Sequence, residues 1–323
     1  MIRIGRAAGA AAVVLSALAL LAGCANAEPP PLVPHQVAPM AKADPAVPCS
    51  REAPVGGADN APAPAGTAAM FDRTAQKIVV TAGNGVSLPQ LSRIVNDPAA
   101  LSETAPGEWL LNVDLEIDKG ASLVVSTPAV RKLELSSAAG RFVAVRVDGG
   151  KLAVTGSCVT SWDVAQRHAD TDYADGRSFI LASDGATMTV DRAEVRYLGY
   201  ADVQSYGLAW RLAGTTGRVT DSIISNLYFG VYTLQVGGLV VTGNEVYDNI
   251  VYGIDPHTGS HDMTITHNVV HDNGKHGIIL AEDCVNNVVS DNVVYANQQH
   301  GIVLFLRSDH NTVQRNESFN NGS

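Results

Sequence analysis

Asparagine returns to the same place every 24 residues in the last third of the chain. Asn244, Asn268, Asn292 and Asn316 fall at steps of 24, and Asn249, Asn273, Asn297 and Asn321 repeat them. Gly253, Gly277 and Gly301 keep the same step and open the runs Gly-Ile-Asp-Pro-His, Gly-Ile-Ile-Leu-Ala and Gly-Ile-Val-Leu-Phe; a preceding unit, with Gly230, is one residue shorter. A unit of this length, holding three brief β runs between Asn/Gly turns, cannot bury its apolar face alone and must stack on its neighbours. The pattern predicts an all-β chain folded as a right-handed parallel β-helix. Leucine-rich repeats share the length range, but their Leu-x-x-Leu-x-Leu pattern is missing. The Asn columns have a structural reading: Asn tolerates left-handed backbone angles, and stacked amides can bond from coil to coil.

Upstream, Trp109-Leu110-Leu111, Ala121 to Val125 and Gly149 to Val154 are short β runs with glycine turns, suited to less regular early coils. From Met70 to Ser323 the period allows on the order of ten coils. Before them, a strand is expected at Lys77 to Thr81, then a helix from Leu88 to about Ser102. Ser87 caps that helix, Pro89 fits its first turn, and Leu88, Leu91, Ile94 and Val95 mark an apolar face that would cover the start of the solenoid. At Ser323 the register expects a further coil, so the chain reads as cut short with a bare, association-prone last coil.

The N-terminal 24 residues read as an export signal: Arg3 and Arg6 precede an apolar run from Ala7 to Ala22, too short for a permanent membrane span. Its end, Leu21-Ala22-Gly23-Cys24, resembles a bacterial lipobox, which makes Cys24 the expected lipidation site and membrane anchor. Ordinary cleavage after Ala27 is the alternative, and both place the mature chain outside the cytoplasm. Residues 25–69 form the expected linker, with ten of the fifteen prolines between Glu28 and Gly66. Residues 70–323 form the β-helix domain. Of the remaining cysteines, Cys49 with Cys158 is the expected disulfide in an oxidising compartment, against the alternative that Cys49, Cys158 and Cys284 are all unpaired apolar residues.

Charge narrows the partners. With 22 Lys+Arg against 32 Asp+Glu the formal charge is −10, and nucleic acid, which needs a basic face, is excluded. Stacked coils put residues 24 apart into columns about 4.8 Å per step. Tyr252, His276 and His300 share one column; His257, Ala281 and Phe305 a second; Thr258, Glu282 and Leu306 a third; Gly259, Asp283 and Arg307 a fourth. The unusual coil is the one with Asp255-Pro256-His257, because a proline in a sheet forfeits a ladder hydrogen bond. Seven of nine histidines lie between His257 and His310, yet only His276 and His300 stack, so no metal site is expected. No cofactor motif is present, and a monomer is expected.

Tyr252 to His257, followed by Lys275-His276-Gly277-Ile278-Ile279, resembles the periplasmic mannuronan C5-epimerases of alginate synthesis. Ser161-Trp162-Asp163, Leu198-Gly199-Tyr200, Ser205 to Leu208 and Asp248 to Tyr252 extend the similarity from about Leu88 to the end. The resemblance implies abstraction of the C5 proton of a uronate residue and its return to the opposite ring face. That reaction needs a base, a proton donor and a group that neutralises the carboxylate. It implies His257 as base and Asp255 as the group that orients it or binds a sugar hydroxyl. Tyr252, His276, Tyr232 and Tyr206 are candidates for the donor or for sugar contacts, and His300 continues the ladder.

Two positions depart from the family motif. Thr258 stands where its final Asp belongs, and Glu282 or Asp283 where its arginine belongs. Arg307 and Lys275 are the expected substitutes for that cation. From Ala201 to Ser323 there are five Lys+Arg and twelve Asp+Glu, a balance that suits a polyanion only where the groove is locally basic. Three readings therefore stand: an isomerase of the polyuronate C5-epimerase type, a polysaccharide lyase sharing the proton abstraction, and a non-catalytic glycan-binding β-helix at the cell surface.

Overall fold

The computed structural model describes residues 44–50 and 59–322; the signal segment and Cys24 lie outside the described residues. The chain coils into three parallel ladders, two of them joined because the long strand Lys77–Ser87 contributes to both. The third ladder stacks nine strands from Glu108–Leu111 to Glu317–Phe319, making about eight turns. That is fewer than the period allows, because the early coils are longer. Lys151 lies against Ser122 on one side and Thr187 on the other, steps of 29 and 36 residues. From Gly253 onward the 24-residue step holds, and the Cβ position of Gly253 lies 2.6 Å from the Gly277 carbonyl oxygen, that of Gly277 2.7 Å from the Gly301 carbonyl oxygen. The glycines form one column in which a side chain has no room.

Inside the coil, successive strands contribute one apolar residue each to continuous rows. Val145, Ile180 and Leu208 form one such row, and Val231, Ile254 and Ile278 continue it, all at most 3 % exposed. At the corners the asparagines form amide ladders. Nδ2 of Asn244 donates to Oδ1 of Asn268 at 2.9 Å, Asn268 to Asn292 at 2.9 Å and Asn292 to Asn316 at 2.9 Å; the Asn249, Asn273, Asn297, Asn321 column repeats this. Each amide also serves backbone, as where Asn268 Oδ1 accepts from the Asn244 N–H and its Nδ2 donates to the Val241 carbonyl. The left-handed angle expected of these asparagines is instead carried by the residue before each: Gly243, His267, Asp291 and Arg315 in one column, Asp248, Asp272, Ala296 and Asn320 in the other. That residue turns the corner, and the asparagine after it is free to point inward.

The start of the solenoid is closed by a hairpin, Ala68–Asp72 against Lys77–Ala82, and by the helix Leu88–Val95. Ser87 and Gln90 form a reciprocal capping box and Pro89 sits in the first turn. The helix is about two turns shorter than expected, because Asn96 adopts a left-handed conformation at its C-terminus and Leu101 already begins a strand. Leu88, Leu91 and Val95 are buried; Ile94, placed on the same face by sequence, is 37 % exposed. Part of the expected linker is docked. Cys49 is bonded to Cys158, Ser50 donates to Glu194 Oε2, and the Pro45 carbonyl accepts from Ala169 N–H. Cys284 is a buried free thiol.

The amide ladder carries a stability consequence. Asn268→Ala would leave the buried Asn244 N–H without its acceptor and take one partner each from the Asn244 side-chain amide, the Val241 carbonyl and Asn292 Oδ1, at about 3 kcal/mol in total. Urea unfolding measures this; a change under ~0.5 kcal/mol, typical of a surface substitution, would contradict it.

Candidate active site

In a strand, alternate side chains face opposite sides, so Ile254–His257 sends Ile254 and Pro256 inward and Asp255 and His257 onto the outer face. The register then sets their neighbours. Ala209, Tyr232 and Asp255 share one outer column, and Arg211, Leu234, His257 and Ala281 share the next. Pro256 has no N–H to donate, and between Ile254 and His257 the pairing to the following strand skips two residues. The Pro256 carbonyl accepts from the Cys284 thiol at 3.3 Å, and burial pushes that thiol up to about 11.

The outer face is a groove with aromatic walls. Tyr206 meets Tyr232 edge-on at 4.8 Å between ring centroids and Phe229 at 4.6 Å, and Tyr232 lies 5.8 Å from the His257 ring. Tyr252, His276 and His300 stack nearly parallel at 5.3 and 5.2 Å, so that expected column is present, and Lys275 Nζ lies 5.8 Å from the Tyr252 ring centre. Toward the N-terminal end the same face opens on a cavity of about 280 Å³ between residues 200–205 and the side chains of Phe142, Arg146 and Phe179.

Charge in the groove is set by burial. Asp255 is fully buried and neither carboxyl oxygen has a hydrogen-bond partner. Burial, reinforced by the nearby Glu282, raises its pKa well above the carboxylate range and holds it neutral. Burial lowers His257, with Glu282 pulling the other way, so the imidazole is neutral near pH 7. Tyr232 and Tyr252 are pushed upward by burial first and by Asp255 second, and both keep their phenolic protons.

Asp255 does not hold His257. The partner of His257 Nδ1 is Thr258 Oγ1 at 2.7 Å, and the Thr258 hydroxyl in turn donates to Glu282 Oε2 at 3.0 Å. Arg307 does not join the groove either: it is bound through two nitrogens to Asp283 at 2.7 and 2.8 Å on an outer turn, with its side chain 65 % exposed. The paired carboxylate leaves it little charge to offer a substrate. His261 pairs with Asp262 on the surface, and His271 is buried between the Tyr247 and Tyr295 rings.

The groove cation that sequence reading missed is Arg211. It stands two strands from His257 in the same column, about 10 Å by strand spacing, and its Nη1 is buried without a partner. Its charge acts on the hydroxyls of Tyr206 and Tyr232. The signal was present in the shorter unit: stepping back from His257 by 23 residues reaches Leu234 and then Arg211.

A coil of parallel strands with such a groove defines a class, and the chain belongs to the right-handed β-helix region family, whose model matches residues 153–318. Among individual proteins, it is 34 % identical over 198 residues to mannuronan C5-epimerase AlgG of Azotobacter vinelandii, covering 57 % of this chain and 36 % of that one. It is 32 % identical over 179 residues to the mannuronan C5-epimerase of Pseudomonas fluorescens, covering 51 % and 33 %. The chain thus spans about a third of the length of the curated relatives it matches. The crystal structure of the periplasmic alginate epimerase AlgG superposes with a TM-score of 0.64 at 25 % identity, over 74 % of this chain and 64 % of that one. A double mutant of the same enzyme superposes at 0.67 over 76 % and 63 %, also at 25 % identity.

The balance of burial and Glu282 on His257 can be measured. Its imidazole should titrate below 6.5 by NMR, and Glu282→Gln, which removes the charge favouring the cation, should lower it further. A titration above 6.5 would show that burial does not dominate.

Proposed function

We propose that the protein is a polysaccharide-modifying isomerase of the C5-epimerase type, acting on a polyuronate laid along the outer groove. The observation that carries the reading is a neutral, half-buried His257 facing a groove that holds an unpaired guanidinium. Similarity to mannuronan C5-epimerases supports the reaction class. A neutral imidazole is a competent base for the C5 proton. The carbanion that forms delocalises into the carboxylate, and a cation held in a poorly hydrated wall stabilises the added charge. Arg211 fills that role from one end of the groove and Lys275 from the other. Tyr232 and Tyr252, kept protonated, are the donors available to the ring, with Tyr206, His276 and His300 as sugar contacts. Asp255, buried and held neutral beneath the groove, adds no negative charge to repel the polyanion.

Location follows the same reading. The Cys49–Cys158 bond suits an oxidising compartment, and the lipobox-like segment supports a lipid anchor at Cys24 outside the cytoplasm, which mass spectrometry of the mature N-terminus would reveal. A monomer with no cofactor is the form in which we place the activity.

Incubation with polymannuronate in D2O separates the readings. The expected outcome is deuterium at C5 without unsaturated chain ends; unsaturation would mean a lyase, and binding without exchange a glycan-binding module. His257→Ala should lower exchange by ~10²–10⁴-fold, the usual contribution of a general base, and Arg211→Gln should weaken both KM and kcat. Exchange should rise as pH climbs through the lowered His257 pKa and level off above it, because only the neutral imidazole is a base. Full exchange by His257→Ala would remove the base assignment.

A further inference from the structure

We infer that Thr258 and Glu282 are positioning residues that fix the tautomer of His257, leaving its Nε2 lone pair as the basic site. The inference rests on the proposed function for its catalytic meaning, but the tautomer itself can be read without any substrate. A hydroxyl has one proton to donate. Glu282 as a carboxylate only accepts, so the Thr258 proton is committed to Glu282 Oε2 at 3.0 Å. At 2.7 Å from His257 Nδ1 the Thr258 oxygen can then only accept, and Nδ1 must carry the imidazole proton. A neutral imidazole has a single N–H, which leaves Nε2 free.

The arrangement depends on the coil-to-coil register. Thr258 and Glu282 are 24 residues apart and meet because they occupy the same corner of adjacent coils. Glu282 has a left-handed backbone (φ 61°), and its N–H is tied to the Phe305 carbonyl of the next coil, so its main chain is fixed at the corner. The two residues that depart from the family motif are therefore a matched pair. Placing Thr at 258 without a committed acceptor would let its hydroxyl turn and donate to Nδ1, moving the imidazole proton to Nε2 and removing the basic site. A third group that orients a base in this way is a recurring feature of proton-transfer sites.

The test is heteronuclear NMR of the full chain with labelled histidine, recorded where His257 is neutral, together with C5 exchange kinetics on polymannuronate. Wild type should show a pyrrole-type Nδ1 and a pyridine-type Nε2. Thr258→Val should give a mixture of tautomers, Thr258→Ser should keep the wild-type pattern, and Glu282→Ala should shift the population toward protonated Nε2. In exchange, Thr258→Val should lower kcat ~10–10²-fold, the size seen when a partner that orients an active group is lost, with KM little changed and activity restored in Thr258→Ser. A wild-type Nε2–H tautomer, or one unaltered in Thr258→Val and Glu282→Ala, would overturn the inference. The expected tautomers in a chain that exchanges no polyuronate would uphold the relay and defeat the epimerase reading instead.

Discussion

The corner amides of Asn244, Asn268 and Asn292, and of Asn249, Asn273 and Asn297, are each bonded to the coil before and the coil after, and the position of each groove residue depends on that constraint. A buried amide left without partners costs as much as several good contacts provide, so the asparagine ladders tolerate no slip of one strand past another. A one-residue slip would turn His257 inward and Pro256 outward. The same ladders bring Thr258 against Glu282 and line up Arg211 with His257, residues that share no local sequence relationship. Precision at the site is thus a property of the repeat rather than of a specialised loop.

On that frame, burial and a few charges divide the labour. Asp255, with no partner for either oxygen, is held neutral by its surroundings. His257 is held neutral by the same burial but keeps an oriented proton on the side facing Thr258. The acidic residues of the outer turns that would repel a polyanion are partly spent on local pairs, Asp283 with Arg307 and Asp291 with Arg315. Of the cations facing the groove, Arg211 and Lys275 stand on either side of the histidine's strand. The net negative charge of this half of the chain is therefore compatible with a polyanionic substrate, because sign is decided locally where water is scarce.

How much of this was legible beforehand follows from how periodic each part is. The fold, the glycine column and the Tyr252, His276, His300 stack could be read from the 24-residue step, because in a parallel ladder sequence distance is spatial distance. The helix was placed correctly at its start, where Ser87 and Pro89 carry a local signal, and overrun at its end, where Asn96 turns left-handed. Sequence also assigned the left-handed angle to the ladder asparagines, whereas the residue before each takes it. At the site, a single missing residue in each of two coils hides Arg211 from a strict 24-residue step, and the sequence motif alone does not show that Asp283, one coil before Arg307 in the same column, is its ion-pair partner. Thr258 and Glu282 read as losses when compared singly with a motif. Their relation appears only when both sit on adjacent coils.

In the proposed complex a polyuronate lies along the coil axis with one sugar presented to Nε2 of His257. A crystal structure of the His257→Ala variant with a mannuronate oligosaccharide tests it most directly. The sugars should follow the ladder across Ala281, position 257 and Leu234, one C5–H facing the space left by the imidazole and a carboxylate meeting the Arg211 guanidinium. An oligosaccharide bound away from this face, or one whose carboxylates all turn from Arg211 and Lys275, would contradict it.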